Sequence, residues 1–417
     1  MILVNTKKIV VVGGGPSGIM AAIRAAQLNQ DVTLIEKNSL LGTKLLLSGK
    51  GRCNLTNTSG PELFLARFSK NGQFLRDAFK IFFNLDLLKF FQERGLKLKS
   101  ERQKRVFPVT DKSSSILSVL KKELIKNKVK IIYKTTLKDI FVQNRKIKGI
   151  LSGHGTTILC ERLILATGGV TYAFTGSNGE GLEISKRLGH KITGLKPGLV
   201  PFETRQKYPK NLKNLMLKNI QLKFSDGQRQ IVSDIGELLF TDFGISGALV
   251  LSLSGRIVDW LDEDKQVCVE IDLKPALSKE QINGRLLREF NQDSRAKIKK
   301  VLKSMLPIAM ISTFLEIAKI DSNKSVSQIT QLERRNLVSL FKALRLDILR
   351  SRPIDQAMIT RGGVSLKDVN PRTMESRLIK GLYFSGEMLD LDADTGGFNL
   401  QAAFSTGYLA GESASLN

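Results

Sequence analysis

The stretch KIVVVGGGPSGIMAAIRAAQLNQDVTLIE, Lys8 to Glu36, decides the reading of this chain. Its apolar run Ile9 to Val12 is continuous rather than alternating, the pattern of a buried parallel strand. The run stops on Gly13, Gly14, Gly15, Pro16, Ser17 and Gly18, and Ile19 to Leu28 then has an Ala-rich, helical period. A second strand, Asp31 to Ile35, ends on Glu36. In the G-x-G-x-x-G spacing Gly13 permits the tight turn, Gly15 lets a pyrophosphate approach the backbone, and Gly18 lets helix and strand pack closely. The anion would rest on the helix N-terminus, at the turn containing Pro16 and Ser17. Glu36, 18 residues past Gly18, is placed to accept hydrogen bonds from an adenosine ribose, with Lys37 beside it. The plainer reading is a glycine-rich turn in an ordinary βαβ unit. Strand, helix, second strand and acid all fall at the spacing of a dinucleotide site, which favours the nucleotide.

Length and composition narrow the classes. A chain of 417 residues has room for two or three domains, and 42% hydrophobic content is ordinary for a soluble protein. No run reaches the roughly 18 apolar residues that a membrane-crossing helix needs. The start, MILVNTKK, enters the first strand almost at once and leaves no room for a signal peptide. Cys53, Cys160 and Cys268 are widely spaced with no CxxC, so neither a disulfide framework nor a zinc cluster is expected, and a reducing cytoplasm is. Two histidines make a His-rich metal site or a His-centred relay a poor fit.

Charge is the unusual quantity: 65 Lys and Arg against 39 Asp and Glu, net +26. Phe64 to Lys148 holds 22 basic and 7 acidic residues, and Lys274 to Arg350 holds 16 and 7. Ile379 to Asn417 has one lysine and five acids. A solubilising background is the plain reading, and a polyanionic partner, above all nucleic acid, is the functional one. No helix joins a basic face to a strong exposed apolar face, so a membrane surface is disfavoured.

Further along, NSLLGTKLLLSGKGRCNLTN (Asn38 to Asn57) is rich in Gly, Ser and Asn and includes Lys44, Gly51, Arg52 and Asn54. In a flavoprotein with this fold such a segment runs along the cofactor toward its ring. Cys53 lies inside it, flanked by Lys50 and Arg52, neighbours that favour a thiolate. A small buried hydrophobe is the plain alternative for that cysteine. Phe68 to Arg94 reads as one helix, and Arg102, Lys104, Arg105, Val106, Phe107 and Pro108 as a basic, aromatic-tipped loop. A strand ending in Ala166, Thr167, Gly168 and Gly169 is where a flavoprotein sheet passes beneath its cofactor. Leu195 to Asp272 alternates in short runs and reads as β-rich; Pro275 to Arg350 is helical in period. The chain then returns through a strand meeting Gly386 and Glu387, a Gly396–Gly397 turn, and an Ala-rich helix opening at Phe398 and Asn399. That helix's N-terminus could face the edge of a flavin ring. With a single G-x-G-x-x-G, one tightly held FAD fits better than a dissociable NAD. The expected architecture is α/β: a split Rossmann-like FAD-binding domain (1–192 and 351–417) with a β-barrel-like insertion (193–274) and a helical insertion (275–350).

Taken together, LLLSGKGRCNLTN (45–57), RVFPVT (105–110), ATGGVTYAFTGSNGEG (166–181), GELLFTDFGISG (236–247), TRGGVSLKDVN (360–370) and GEMLDLDADTGGFNLQAAFSTG (386–407) resemble the BaiN/RdsA-type flavoproteins over essentially the whole length. Ala173 and Ala248 depart from that pattern, where proline is usual. The resemblance implies hydride transfer from reduced flavin to an enone-like double bond. The substrate would be either a uridine of 23S ribosomal RNA, giving dihydrouridine, or a conjugated steroid. NADH or NADPH could reduce the flavin transiently, as in single-Rossmann flavoproteins, and no residue here reveals which; by analogy with other flavin dihydrouridine synthases, Cys53 is the hypothesised proton donor. The charge favours ribosomal RNA. A small-molecule ene-reductase and a flavin-holding RNA-binding protein without catalysis are the competing readings, and a monomer is the expected state.

Overall fold

The computed structural model describes residues 8–28 and 30–416, so the leader-free reading of residues 1–7 lies outside it. The chain forms two compact units, one running to Gly198 and resuming at Ile354, the other spanning Leu199–Pro353.

The first unit is built on a parallel sheet. Its strands are β1 (Lys8–Val12), β2 (Asp31–Ile35), β3 (Lys130–Ile132), β4 (Arg162–Leu165) and β5 (Leu382–Phe384), in the order β5–β4–β1–β2–β3. Ile9, Val10, Val11, Leu163, Ile164 and Leu165 are wholly buried, because helices cover both faces of a parallel sheet. In register, Val12 lies beside Leu165 and Leu165 beside Phe384. The three glycine-rich stretches that follow β1, β4 and β5 therefore emerge side by side. In open α/β sheets this carboxyl edge is where ligands bind.

Two helices cross at that edge, α1 (Pro16–Gln27) and α2 (Phe398–Leu416). They approach to backbone contact: a Cβ added at Gly407 would lie 2.2 Å from the Ser17 carbonyl oxygen, and one at Gly411 2.3 Å from that of Ala21. The expected helix over Phe68 to Arg94 is instead broken into Arg76–Ile81 and Asn84–Gln92. Phe82 and Phe83 are extended, and Asp86 restarts the helix by accepting the Phe83 N–H at 2.8 Å.

The second unit corrects the expected division at 274/275. Its seven-stranded antiparallel sheet runs Gln230–Val232, Met216–Ser225, Gly236–Phe240, Gly244–Ser246, Phe202–Thr204, Leu344–Ser351, Val267–Asp272, and closes because Val267–Asp272 also pairs with Met216–Ser225. Closure removes the exposed edges of an open sheet. The barrel takes Leu344–Ser351 from the stretch read as helical, and Ala248–Asp262, from the stretch read as β-rich, is a 15-residue helix. The helices Lys279–Gln292, Ile308–Ala318 and Gln331–Lys342 leave the barrel and return to it, so both stretches belong to one unit.

Candidate functional site

At the end of β1, Gly13 has φ +109°, and an added Cβ would meet the Ala166 carbonyl oxygen at 2.3 Å. Gly18 sits equally close to Gly13, its added Cβ 1.9 Å from the Gly13 oxygen. Gly15 is different: its φ is −80°, and nothing lies within 4 Å of an added Cβ. It opens α1, which begins with Pro16 and has no side-chain cap. No side chain caps the first-turn N–H groups of Ser17 and Gly18, the arrangement that suits an anion at a helix N-terminus. Ser17 Oγ is tied to Ser385 Oγ at 2.7 Å, joining α1 to the end of β5.

Glu36 is 7% exposed; one carboxylate oxygen takes the Gly14 N–H at 2.7 Å and the other the Asn38 N–H at 2.8 Å. This fixes the carboxylate at the tip of β2 while leaving lone pairs for further donors.

A second cluster gathers at Glu387. Lys44 Nζ donates to both carboxylate oxygens, at 2.7 and 3.0 Å, and to Thr171 Oγ1 at 2.7 Å. The Thr360 N–H reaches the same carboxylate at 2.7 Å, and the Val170 N–H donates to Thr360 Oγ1 at 2.8 Å. Four distant segments are thereby locked together behind Gly168 and Gly386, both at positive φ. Thr167 Oγ1 contacts the Met388 sulfur at 2.8 Å. Thr171 and Thr360 were not foreseen as site residues. Each is separated by one residue from a glycine pair, a composition that brings hydroxyls and backbone donors together.

Several foreseen side chains are engaged elsewhere. Lys37 pairs with Glu180 at 3.3 Å. Arg52 bonds to Glu101 and Asp111, which raises its own pKa, and it stacks 4.2 Å above Phe107; Arg52 holds the Glu101 carboxyl below its usual range, and Lys99 first and Arg52 second do the same for Asp111. With its amide oriented to satisfy its neighbours, Asn54 donates to the Thr56 and Val106 carbonyls and accepts the Gly397 N–H at 3.1 Å. Phe398 packs edge-on against Phe64, 4.7 Å between ring centres. Asn399 accepts the Ala393 N–H at 2.9 Å and donates to the Ala393 carbonyl at 2.8 Å. Gly51, at φ +83°, has no atom within 4 Å of an added Cβ.

Cys53 corrects the thiolate expectation. It is fully buried, and burial pushes its thiol up to about 12, outweighing the lowering by the Ser48 side chain. Arg52 beside it in sequence turns away to Glu101 and Asp111. The group is a protonated thiol.

The family model for the HI0933-like protein Rossmann domain matches residues 7–413. The chain belongs to this family. It is an FAD-dependent oxidoreductase with a Rossmann-like FAD-binding domain. Similar to this family member are the 3-dehydro-bile acid delta(4,6)-reductase of Clostridium scindens, 32% identical over 98% of each chain, and the ribosomal RNA dihydrouridine synthase of Haemophilus influenzae, 29% identical over 96% of each. The solved 3-ketosteroid delta1-dehydrogenase of Sterolibacterium denitrificans shares the fold, with a TM-score of 0.54, 12% identity and 99% of each chain covered.

Proposed function

We propose that this chain reduces a uridine of 23S ribosomal RNA to dihydrouridine. The observation that carries the reading is the net charge of +26, a cost in self-repulsion that a small neutral substrate gives no reason for. Two similar proteins, from Haemophilus influenzae and Escherichia coli, are named ribosomal RNA dihydrouridine synthase.

The residues fit FAD. Gly15, Pro16, Ser17 and Gly18 would receive the pyrophosphate on the helix terminus, Glu36 the ribose, and Gly51, Thr167, Gly168 and Gly386 would allow close backbone approach. Glu387, clamped by Lys44, would hold the β5 turn in place, and the Gly397 turn at the start of α2 would contribute its helix dipole. When bound and reduced by NADH or NADPH, FAD supplies the hydride for C6 of uracil. The chain must then hold the base out of its stack and deliver a proton to C5. The Cys53 thiol, kept protonated by burial, is the proposed donor.

The test is nucleoside mass spectrometry of ribosomal RNA from cells with and without the gene. Dihydrouridine is expected to vanish on deletion and to return with the wild-type gene but not with a Gly13→Ala/Gly15→Ala double variant. Unchanged dihydrouridine rules the reading out. The 32% identity to the bile acid reductase supports a second reading, reduction of a conjugated double bond in a small molecule. Turnover of free enones by the FAD-loaded protein with NADPH and no RNA would establish it.

A further inference from the structure

Beside the proposed cofactor site lies a basic rim that the FAD contacts do not use. Arg102, Gln103 and Lys104 form a tight loop between the paired strands Leu98–Glu101 and Arg105–Pro108. Gln103 and Lys104 are at φ +61° and +60°, left-handed backbone that side-chain-bearing residues adopt only when their surroundings enforce it. The enforcement is visible. The Lys104 carbonyl accepts the Thr58 N–H at 2.9 Å, and the Gln103 carbonyl accepts Asn57 Nδ2 at 3.0 Å. The same buried Asn57 amide reaches the Gly396 carbonyl at 3.2 Å, in the turn that starts α2. The loop is therefore pinned directly to the edge of the site.

Lys50 belongs to the neighbouring turn, Ser48–Gly51, also at a left-handed φ of +58°. That turn and the strand pair are joined by Arg52, bonded to Glu101 and Asp111 and stacked on Phe107. The two acids nearest the rim are thus neutralised, by Arg52 and by Lys99, whose Nζ is 2.5 Å from Asp111. Lys50, Arg102 and Lys104 are left exposed, and among the described residues none of the three is within ion-pair distance of a carboxylate. A rim whose own acids are consumed and whose cations stay exposed, Lys50 and Lys104 on left-handed backbone, is suited to bind an external anion.

We propose that Lys50, Arg102 and Lys104 grip the RNA backbone phosphates flanking the nucleotide that enters the site. The inference rests on the ribosomal RNA reading and adds to it where the backbone is held. Phosphate contacts of this kind position the strand without reading its sequence.

The test uses the full-length, FAD-loaded protein and a fluorescein-labelled hairpin RNA with a uridine-rich single-stranded loop, read by anisotropy over a range of salt. Arg102→Glu/Lys104→Glu is compared with Lys122→Glu/Lys126→Glu, which makes the same change in net charge at two exposed lysines of the helix Ser113–Lys126. The rim variant should bind at least about tenfold more weakly, and the slope of log affinity against log salt should fall by about 0.7 for each lost single-strand contact. The control should keep the wild-type slope. Flavin absorbance confirms loading in each case; if the double reversal does not load, Lys50→Glu and the neutral Arg102→Gln/Lys104→Gln pair replace it under the same criteria. Equal losses in rim and control variants overturn the rim proposal and leave the RNA reading standing. Wild-type protein that does not bind this RNA, together with ribosomal dihydrouridine unchanged on gene deletion, overturns both.

Discussion

The Cys53 thiol lies at a left-handed φ of +61°, sealed from water and hydrogen-bonded to Ser48. Its folded pKa is raised from 9.0 to about 12, so its contribution to stability is present below pH 9 and is lost as pH rises toward 12. At pH 8 iodoacetamide should label the half-buried Cys268 first, leaving Cys53 and the similarly buried Cys160 largely unmodified by peptide mass spectrometry. In the proposed role, Cys53→Ala should retain FAD and lose product formation, and wild-type activity should show no fall near pH 9. Full activity in Cys53→Ala would remove the residue from the mechanism. The glycines support a sharper test. Gly13→Ala combines a forbidden φ with a backbone clash and should destabilise the fold. Gly15→Ala meets nothing and should cost no more than about 1 kcal/mol as a helix cap. It should nonetheless weaken FAD binding at least about tenfold, measured by titration of the apoprotein. Motif spacing made Gly13, Gly15, Gly18 and Glu36 legible in the sequence because the three glycines act through the backbone and Glu36 sits at a strand end whose position that spacing sets. The engagements of Lys37, Arg52, Asn54 and Asn399 were not legible, because long polar side chains choose partners only once the tertiary structure exists.

Among elements, the α1–α2 crossing bears most directly on the site, since α1 presents its N-terminus there and Ser17 is tied to Ser385. The crossing depends on Gly407 and Gly411 lying against α1 backbone. Gly407→Val should push the helices apart, costing about 1–3 kcal/mol as an overpacked contact, and should lower FAD affinity along with the melting temperature. A variant with unchanged melting and unchanged flavin content would show that the crossing has slack. Continuous apolar strands and Ala-rich helices were readable at this scale. The misread elements have physical causes. The break at Phe82–Phe83 is set by Asp86 restarting the helix and by Asn84, whose amide donates to the Asn57 and Ser59 carbonyls at 2.8 and 2.9 Å. An uninterrupted run of core phenylalanines conceals both. Leu344–Ser351 is a strand because it completes a barrel whose other strands lie far away in sequence, a pairing that local periodicity does not carry.

For the whole molecule, the charge and the two units can be separated. Leu199–Pro353 carries 26 basic and 18 acidic residues, net +8; the remaining 39 and 21 leave +18 on the unit that contains the cofactor fold. Both the sheet and the proposed phosphate rim belong to that unit, so on the proposed ribosomal RNA reading it is the part that would meet the RNA. Its chain can be closed without the second unit. Lys196–Gly198 and Ile359–Arg361 are antiparallel neighbours, Gly198 opposite Ile359, and only residues 354–358 of the first unit lie between them. Joining Gly198 directly to Ile354 would turn this pair into a hairpin with a five-residue loop, an ordinary length for such a connection. The excised protein should therefore fold, melt cooperatively and purify yellow with bound FAD. It should also retain most of the wild-type salt slope for RNA, because most of the net charge and all three rim cations remain. An excised chain that loads FAD but has lost the slope would move RNA recognition to the barrel unit. One that fails to load FAD would show that the first unit's fold depends on the second.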